Sequence, residues 1–327
     1  MNATLMKRLF RVLQDGSATD VRAVCRRIVD EEKKLGHTQV AKELERLIGD
    51  AAIAPSPTPA LGLRPLPTSR RDSSPLITEI PVEKLRHHMV LPESVEARFT
   101  RIEKEFAARS RLAKHGLKPR HRVLLYGPPG CGKNLGAERL AWHTGLPLRK
   151  VRFDNLLSSY FGETMTNLRR VFDAAQETPC ALFLDECDTL ARARNARNDV
   201  GEVTRITNAL LEMLEDYSGD GLVIAATNLD AELDPALFRR FDEVLRIPLP
   251  GTAEIQRLLT TTLAPIGIES KLPMPNLADE MDGMSGSDVV HVAQSAAKLA
   301  VLGGRKRVSE GDLRQALTEA HERHQSH

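Results

Sequence analysis

Cysteine is scarce in this 327-residue chain: there are four, Cys25, Cys131, Cys180 and Cys187, and no two form a Cys-x-x-Cys pair. That usage suggests neither a zinc site nor a disulfide framework and favours free thiols in a reducing cytoplasm. Aromatics are scarce too, at 4% of residues, with one Trp and three Tyr. Neither sign of charge dominates. Lys and Arg number 46 against 44 Asp and Glu, a net +2, so bulk charge gives no reason to expect a nucleic-acid or membrane-surface binder. No apolar run approaches the roughly 20 residues that span a bilayer, so no membrane span is expected. Residues 1–10 lack the long apolar core of a secretory signal, and no leader is expected. What remains is an ordinary globular composition, 41% hydrophobic and 28% charged. The length suits one large domain with an appendage, or two domains.

The chain divides by pattern. Residues 1–50 read as a helical module of three short helices, each closed by a glycine: Gly16, Gly36 and Gly49. Leu5, Leu9 and Leu13 form one helical stripe, and Val40, Leu44, Leu47 and Ile48 another. Residues 51–75 carry Pro55, Pro57, Pro59, Pro65, Pro67 and Pro75 among Ser and Thr, the composition of a flexible linker. A small module on such a tether suits the docking of a partner or adaptor. From residue 76 the chain becomes globular. Apolar runs at 123–126, 148–153, 181–184, 222–226 and 243–247 alternate with helical stretches, which predicts an α/β domain with a parallel sheet over 76–250. Residues 251–327 read as helices only.

The chemistry begins after the first of those runs. Gly127-Pro128-Pro129-Gly130-Cys131-Gly132-Lys133-Asn134 lies between a strand pattern and a helix pattern that starts at Leu135. A Gly-rich turn in that context aims successive backbone N–H groups at phosphate oxygens, and the helix N-terminus adds a favourable dipole. Lys133 is placed to reach the β- and γ-phosphates of ATP. Where a Ser or Thr hydroxyl normally meets Mg²⁺, this chain has Asn134. Asn offers an amide oxygen on a longer arm, so it either ligates the metal with a shift or leaves it short of a ligand. About 50 residues on, the strand pattern Ala181-Leu182-Phe183-Leu184 delivers Asp185 and Glu186 at its C-terminal end, the edge where open α/β sheets bind ligands. Asp185 is the expected Mg²⁺ acid, and Glu186 the group that polarises the attacking water. Another strand pattern ends in Asn228, suited to placing that water or touching the γ-phosphate. Arg239 and Arg240 follow Leu233-Asp234-Pro235. They read either as solvated charge or as fingers inserted into a neighbouring subunit's site.

These four elements, in this order, resemble the AAA ATPases over residues 76–325, about three quarters of the chain. The short gap between Leu233-Asp234-Pro235 and Arg239-Arg240-Phe241 is similar to the branch that severs microtubules and disassembles membrane complexes. The resemblance implies a P-loop α/β fold with a helical lid, ATP and Mg²⁺ as cofactors, and a homo-oligomer, a hexamer, with sites between subunits. It also implies that Ser159-Tyr160-Phe161-Gly162-Glu163 is a pore loop, with Tyr160, Phe161 and Gly162 gripping an extended protein substrate. The polar, Arg/Asn-rich segment Arg192 to Glu202 reads either as a disordered surface loop or, by the resemblance, as a second pore loop. Gly283-Met284-Ser285-Gly286-Ser287-Asp288 is similar to the start of the lid helix, with Gly286 and Ser287 against the nucleotide and Ser287 or Asp288 as its cap. The layout is also similar to bacterial AAA subunits paired with a separate subtilisin-like protease in phage-defence or plasmid-related systems. The expected activity is ATP hydrolysis driving protein remodelling by threading. The rivals are a nucleic-acid-acting AAA protein and an ATP-binding scaffold that barely hydrolyses because of Asn134.

Overall fold

Val123, Leu124 and Leu125 are all fully buried, yet they face opposite ways: Val123 and Leu125 join one apolar cluster and Leu124 another. Strand side chains alternate between faces, so a strand buried on both sides belongs in the middle of a layered domain. The computed structural model describes residues 66–69, 73–156, 161–186, 200–228, 238–269 and 272–325. The N-terminal module at 1–50, most of the Pro-rich stretch, Ser159, Tyr160, residues 192–199 and Leu233-Asp234-Pro235 lie outside the described residues.

Along the chain run β1 (Ile77–Ile80), α1 (Glu93–Ala107), α2 (Arg109–Lys114), β2 (Arg122–Tyr126), α3 (Lys133–Thr144), β3 (Leu148–Val151), α4 (Phe153–Leu156), α5 (Phe161–Glu177) and β4 (Ala181–Leu184). Then come α6 (Val200–Asp216), β5 (Leu222–Thr227), β6 (Glu243–Arg246), α7 (Thr252–Leu263), α8 (Met274–Glu280), α9 (Gly286–Leu302) and α10 (Glu310–Gln325). The six strands form one sheet in the order β1-β3-β4-β5-β2-β6. All neighbours are parallel except β1 and β3. Helices cover both faces. Phe99, Ile102 and Phe106 of α1 and Ala137, Leu140 and Ala141 of α3 pack with Val123 and Leu125. Leu168, Val171 and Phe172 of α5 and Leu210 and Leu214 of α6 pack with Leu124 on the other face. This is the expected mixed α/β fold with a mostly parallel sheet.

The structure differs from the sequence reading in several places: β1 is not among the expected strands, and α3 begins at Lys133, two residues before Leu135. The apolar run at 148–153 is strand only to Val151, and Phe153 opens α4. Val151 pairs with Ile77, the first residue of β1, and one further bond follows, from the Arg152 N–H to Leu76 O at 2.9 Å, before the chain turns into α4. The lid helix α9 is capped by Ser285, not by Ser287 or Asp288. Ser285 is extended (φ −71°, ψ 157°) and its Oγ accepts from the Asp288 N–H at 3.3 Å. The cap must sit outside the helical backbone, and Ser287 and Asp288 are already inside it.

Residues 251–325 are helical as read, and α7 to α10 enclose a core of their own around Leu259, Val289, Val292, Ala293 and Leu313. Of the Pro-rich stretch, Thr68 and Pro75 form an antiparallel bridge, and the Leu76 N–H donates to Pro67 O at 2.9 Å. Buried cations tie the helices and edges to the sheet. Arg139 of α3 reaches Glu96 through both terminal nitrogens at 2.6 Å, and Glu103 at 2.9 Å, both on α1. Arg149 of β3 reaches Glu79 of β1 at 2.8 Å and Ala174 O at 3.1 Å. Such fork-shaped pairs fix orientation as well as contact. The Arg139 bonds hold α3, and with it the loop that precedes it.

Candidate functional site

Strand β2 ends at Tyr126, whose carbonyl accepts from the Ile247 N–H at 2.8 Å. The chain then turns at Gly127 (φ 139°), where a Cβ would lie 2.2 Å from Ile247 O. Only glycine lets the loop leave the sheet beside that backbone. At Gly130 (φ 74°) a Cβ would meet Ser285 Oγ at 2.4 Å and Ser287 Oγ at 2.5 Å. The Ser287 N–H also donates to Gly130 O at 3.0 Å. The start of the lid helix therefore rests directly on the loop.

Lys133 is the first residue of α3 and is buried. Its ammonium donates to Gly127 O at 2.7 Å and Pro128 O at 2.8 Å, folding the side chain back over the loop. Residues 129–135, Asp185, Glu186, Asn228, Gly286 and Ser287 line one cleft of about 550 Å³. The fold thus brings together nearly all the residues proposed for phosphate chemistry. Gly127 and Pro128 contribute through their carbonyls to Lys133. Glu186 adopts φ 52°, a left-handed backbone that costs a non-glycine residue about 1–2 kcal/mol. Strain of this kind is retained chiefly where position matters.

At Asp185 the arrangement is unusual. Asn134 Nδ2 donates to Asp185 Oδ2 at 3.0 Å, and Lys150 Nζ reaches the same oxygen at 2.6 Å. Only the nitrogen end of an amide can donate to a carboxylate, so Asn134 turns its donor, not its oxygen, towards Asp185. Mg²⁺ needs oxygen ligands in near-octahedral array at about 2.0–2.1 Å. Both donors crowd one oxygen, Oδ2, and leave Asp185 only Oδ1 for a metal, beside an ammonium that repels it, which is a poor fit to that requirement. Among the described residues, no group of three or more His, Cys, Asp or Glu side chains could hold a metal ion.

Sequence reasoning missed part of the wall. Met89, Leu91, Ile247, Leu258 and Val290 supply an apolar side to the cleft, facing the polar loop. The apolar Met89-Val90-Leu91 run before Pro92 was the available signal. Arg86, beside them, binds Glu138 of α3 at 2.5 Å through Nη2 and 3.0 Å through Nε. Burial pushes the Glu138 carboxyl up, but the Arg86 hydrogen bonds outweigh it and hold it below the usual range. Burial raises the Cys131 thiol, with the Lys133 charge partly offsetting it.

The arginines stand apart. Arg239 is exposed, Arg240 is ion-paired with Glu215 of α6, and neither lines the cleft of its own chain. Gly162 is exposed near the start of α5, and the Phe161 side chain and Tyr160 lie outside the described residues. Among the described residues no helix is long and apolar enough to cross a membrane.

A family profile described as "ATPase family associated with various cellular activities (AAA)" matches residues 123–249. Over 315 residues the chain is 38% identical to a protein of Sinorhizobium fredii named "Uncharacterized AAA family ATPase y4kL", spanning 96% of this chain and 93% of that one. This chain belongs to the AAA ATPase family. The profile runs from β2 to just past β6, so in this AAA protein it contains the loop, Lys133, the Asp185-Glu186 pair, Asn228 and both arginines. The identity to the Sinorhizobium protein reaches well beyond that core, across most of the remaining chain.

Proposed function

We propose that this chain is an ATP-hydrolysing ring motor, a cytoplasmic homo-hexamer that remodels or unfolds protein substrates by drawing them through a central pore. The observation that carries the catalytic part is the strained Glu186, which lines the same cleft as Lys133 and Asn228. Lys133 and the loop N–H groups bind the phosphates, and the apolar wall around Met89 and Leu258 receives the base. Glu186 accepts a proton from the attacking water, and Asn228 orients that water. Charge developing on the γ-phosphate is met by Lys133 and by Arg239 and Arg240 of an adjacent subunit. The position of the arginines outside their own cleft supports that last assignment.

Tyr160, Phe161 and Gly162 are the proposed substrate grip. Residues 1–50 are the proposed dock for an adaptor or for a separate protease, in the manner of bacterial defence systems. Near-balanced charge disfavours nucleic acid as the substrate. Steady-state phosphate release is the test. Glu186→Gln should lower release by about 10²–10⁴-fold while ATP binding persists. Binding by the unaltered chain with release no faster than Glu186→Gln would overturn hydrolysis and leave an ATP-held scaffold.

A further inference from the structure

We propose that Lys150 is a resident cation of the nucleotide site. It stands at Asp185, where the resemblance led us to expect a divalent metal, so the site takes ATP or ADP with little dependence on Mg²⁺. The inference rests on the reading of the cleft as a nucleotide site.

Sheet register carries Lys150 to its place. Strand β3 lies parallel to β4, and Lys150 pairs with Phe183, two residues before Asp185. Its ammonium stands 5.7 Å from the Phe183 ring centre and 2.6 Å from Asp185 Oδ2. Lys150 also lies near the charge of Glu138, and Arg86 already binds that carboxylate through Nε, Nη2 and the backbone N–H. Asp185 is therefore the carboxylate that Lys150 serves.

The second departure is Asn134, 16 positions earlier in the chain. A hydroxyl there would offer a metal an oxygen. The amide offers Asp185 a donor instead, on the same oxygen that Lys150 binds. The two changes are complementary: both place a donor on Asp185 Oδ2, where a metal would need a free acceptor. Lys150 balances the Asp185 charge and repels a dication, while remaining attractive to a polyphosphate. A charge-assisted hydrogen bond of this length is strong for its class. Lys150 is 39% exposed and lines a second cleft, which meets the nucleotide cleft at Asp185 and Glu186, so it is open to solvent rather than sealed in the core.

The test is calorimetric binding of ADP and of a non-hydrolysable ATP analogue to the full chain, in EDTA and in excess MgCl₂. For the unaltered chain the two affinities should agree within about fivefold. Lys150→Met should lose about tenfold or more in EDTA and regain most of it with Mg²⁺, while Lys150→Arg keeps the unaltered behaviour. A merely structural ion pair would not produce that metal-dependent split. Asn134→Thr should increase the benefit of Mg²⁺. An unaltered chain whose affinity rises more than about fivefold with Mg²⁺ would overturn the proposal, and this comparison needs no variant to fold. So would a folded Lys150→Met whose affinity in EDTA is unchanged. No binding under either condition would overturn the nucleotide reading itself, and this proposal with it.

Discussion

Replacing Gly130 with alanine tests the contact between loop and lid. Gly130 has φ 74°, and an added Cβ would lie 2.4 Å from Ser285 Oγ, 2.5 Å from Ser287 Oγ and 2.8 Å from Ser285 Cβ. Ser285 is the cap of α9 and cannot swing aside without losing that role. Alanine in the left-handed region costs about 1–2 kcal/mol. Forcing the lid away breaks the bond from the Ser287 N–H to Gly130 O, worth about 0.5–1.5 kcal/mol. Together these reach about 1.5–3.5 kcal/mol, which corresponds to about a 10- to 400-fold loss of affinity if nucleotide needs the loop as it stands. The assay is calorimetric ADP binding beside urea unfolding. Gly116→Ala is the control. Its φ is 70° with nothing within 4 Å of the added Cβ, so it should lose stability but not affinity. Gly130→Ala binding within about threefold of the unaltered chain would refute the reasoning.

Two further outcomes follow from the packing. Ser285→Ala removes the cap of α9 and should cost about 1 kcal/mol in urea unfolding. Asp242 joins β6 to β2 by accepting from the His121 N–H at 3.1 Å, the Arg122 N–H at 3.0 Å and Arg122 Nη2 at 2.7 Å. Burial raises its carboxyl, but Arg122 and these backbone donors outweigh burial and leave it below the ordinary value. The stabilisation is therefore complete above the unfolded carboxyl's pKa, about 3.9, and is lost as pH falls through the lower folded value. Asp242→Asn should cost about 1–3 kcal/mol at neutral pH, with the gap to the unaltered chain closing in strong acid.

The central strands were legible because continuous burial on both faces leaves a continuous apolar run, as at 123–126, 181–184 and 222–227. The phosphate loop was legible because its glycines answer local backbone demands. Asp185 and Glu186 could be placed because they follow such a strand directly. Strand β1 was not legible: four residues between Pro75 and Pro81 carry no pattern, and their partner β3 is some 70 residues away. The cap at Ser285 was missed by two positions because three small polar candidates stand close together. Lys150 and Arg149 were invisible for a deeper reason. A charged residue in a strand has no local signature of its partner, and only the neighbours β1 and β4 bring Glu79 and Asp185 to them.

The claim that hydrolysis occurs between subunits is tested most directly by mixing two inactive chains. One carries Glu186→Gln with its arginines intact, and the other carries Arg239→Ala and Arg240→Ala with its glutamate intact. In randomly mixed rings about a quarter of the interfaces join an intact glutamate to intact arginines. Phosphate release from the mixture should rise well above that of either parent. A mixture as inactive as its parents, beside an active unaltered chain, would contradict a site shared between subunits.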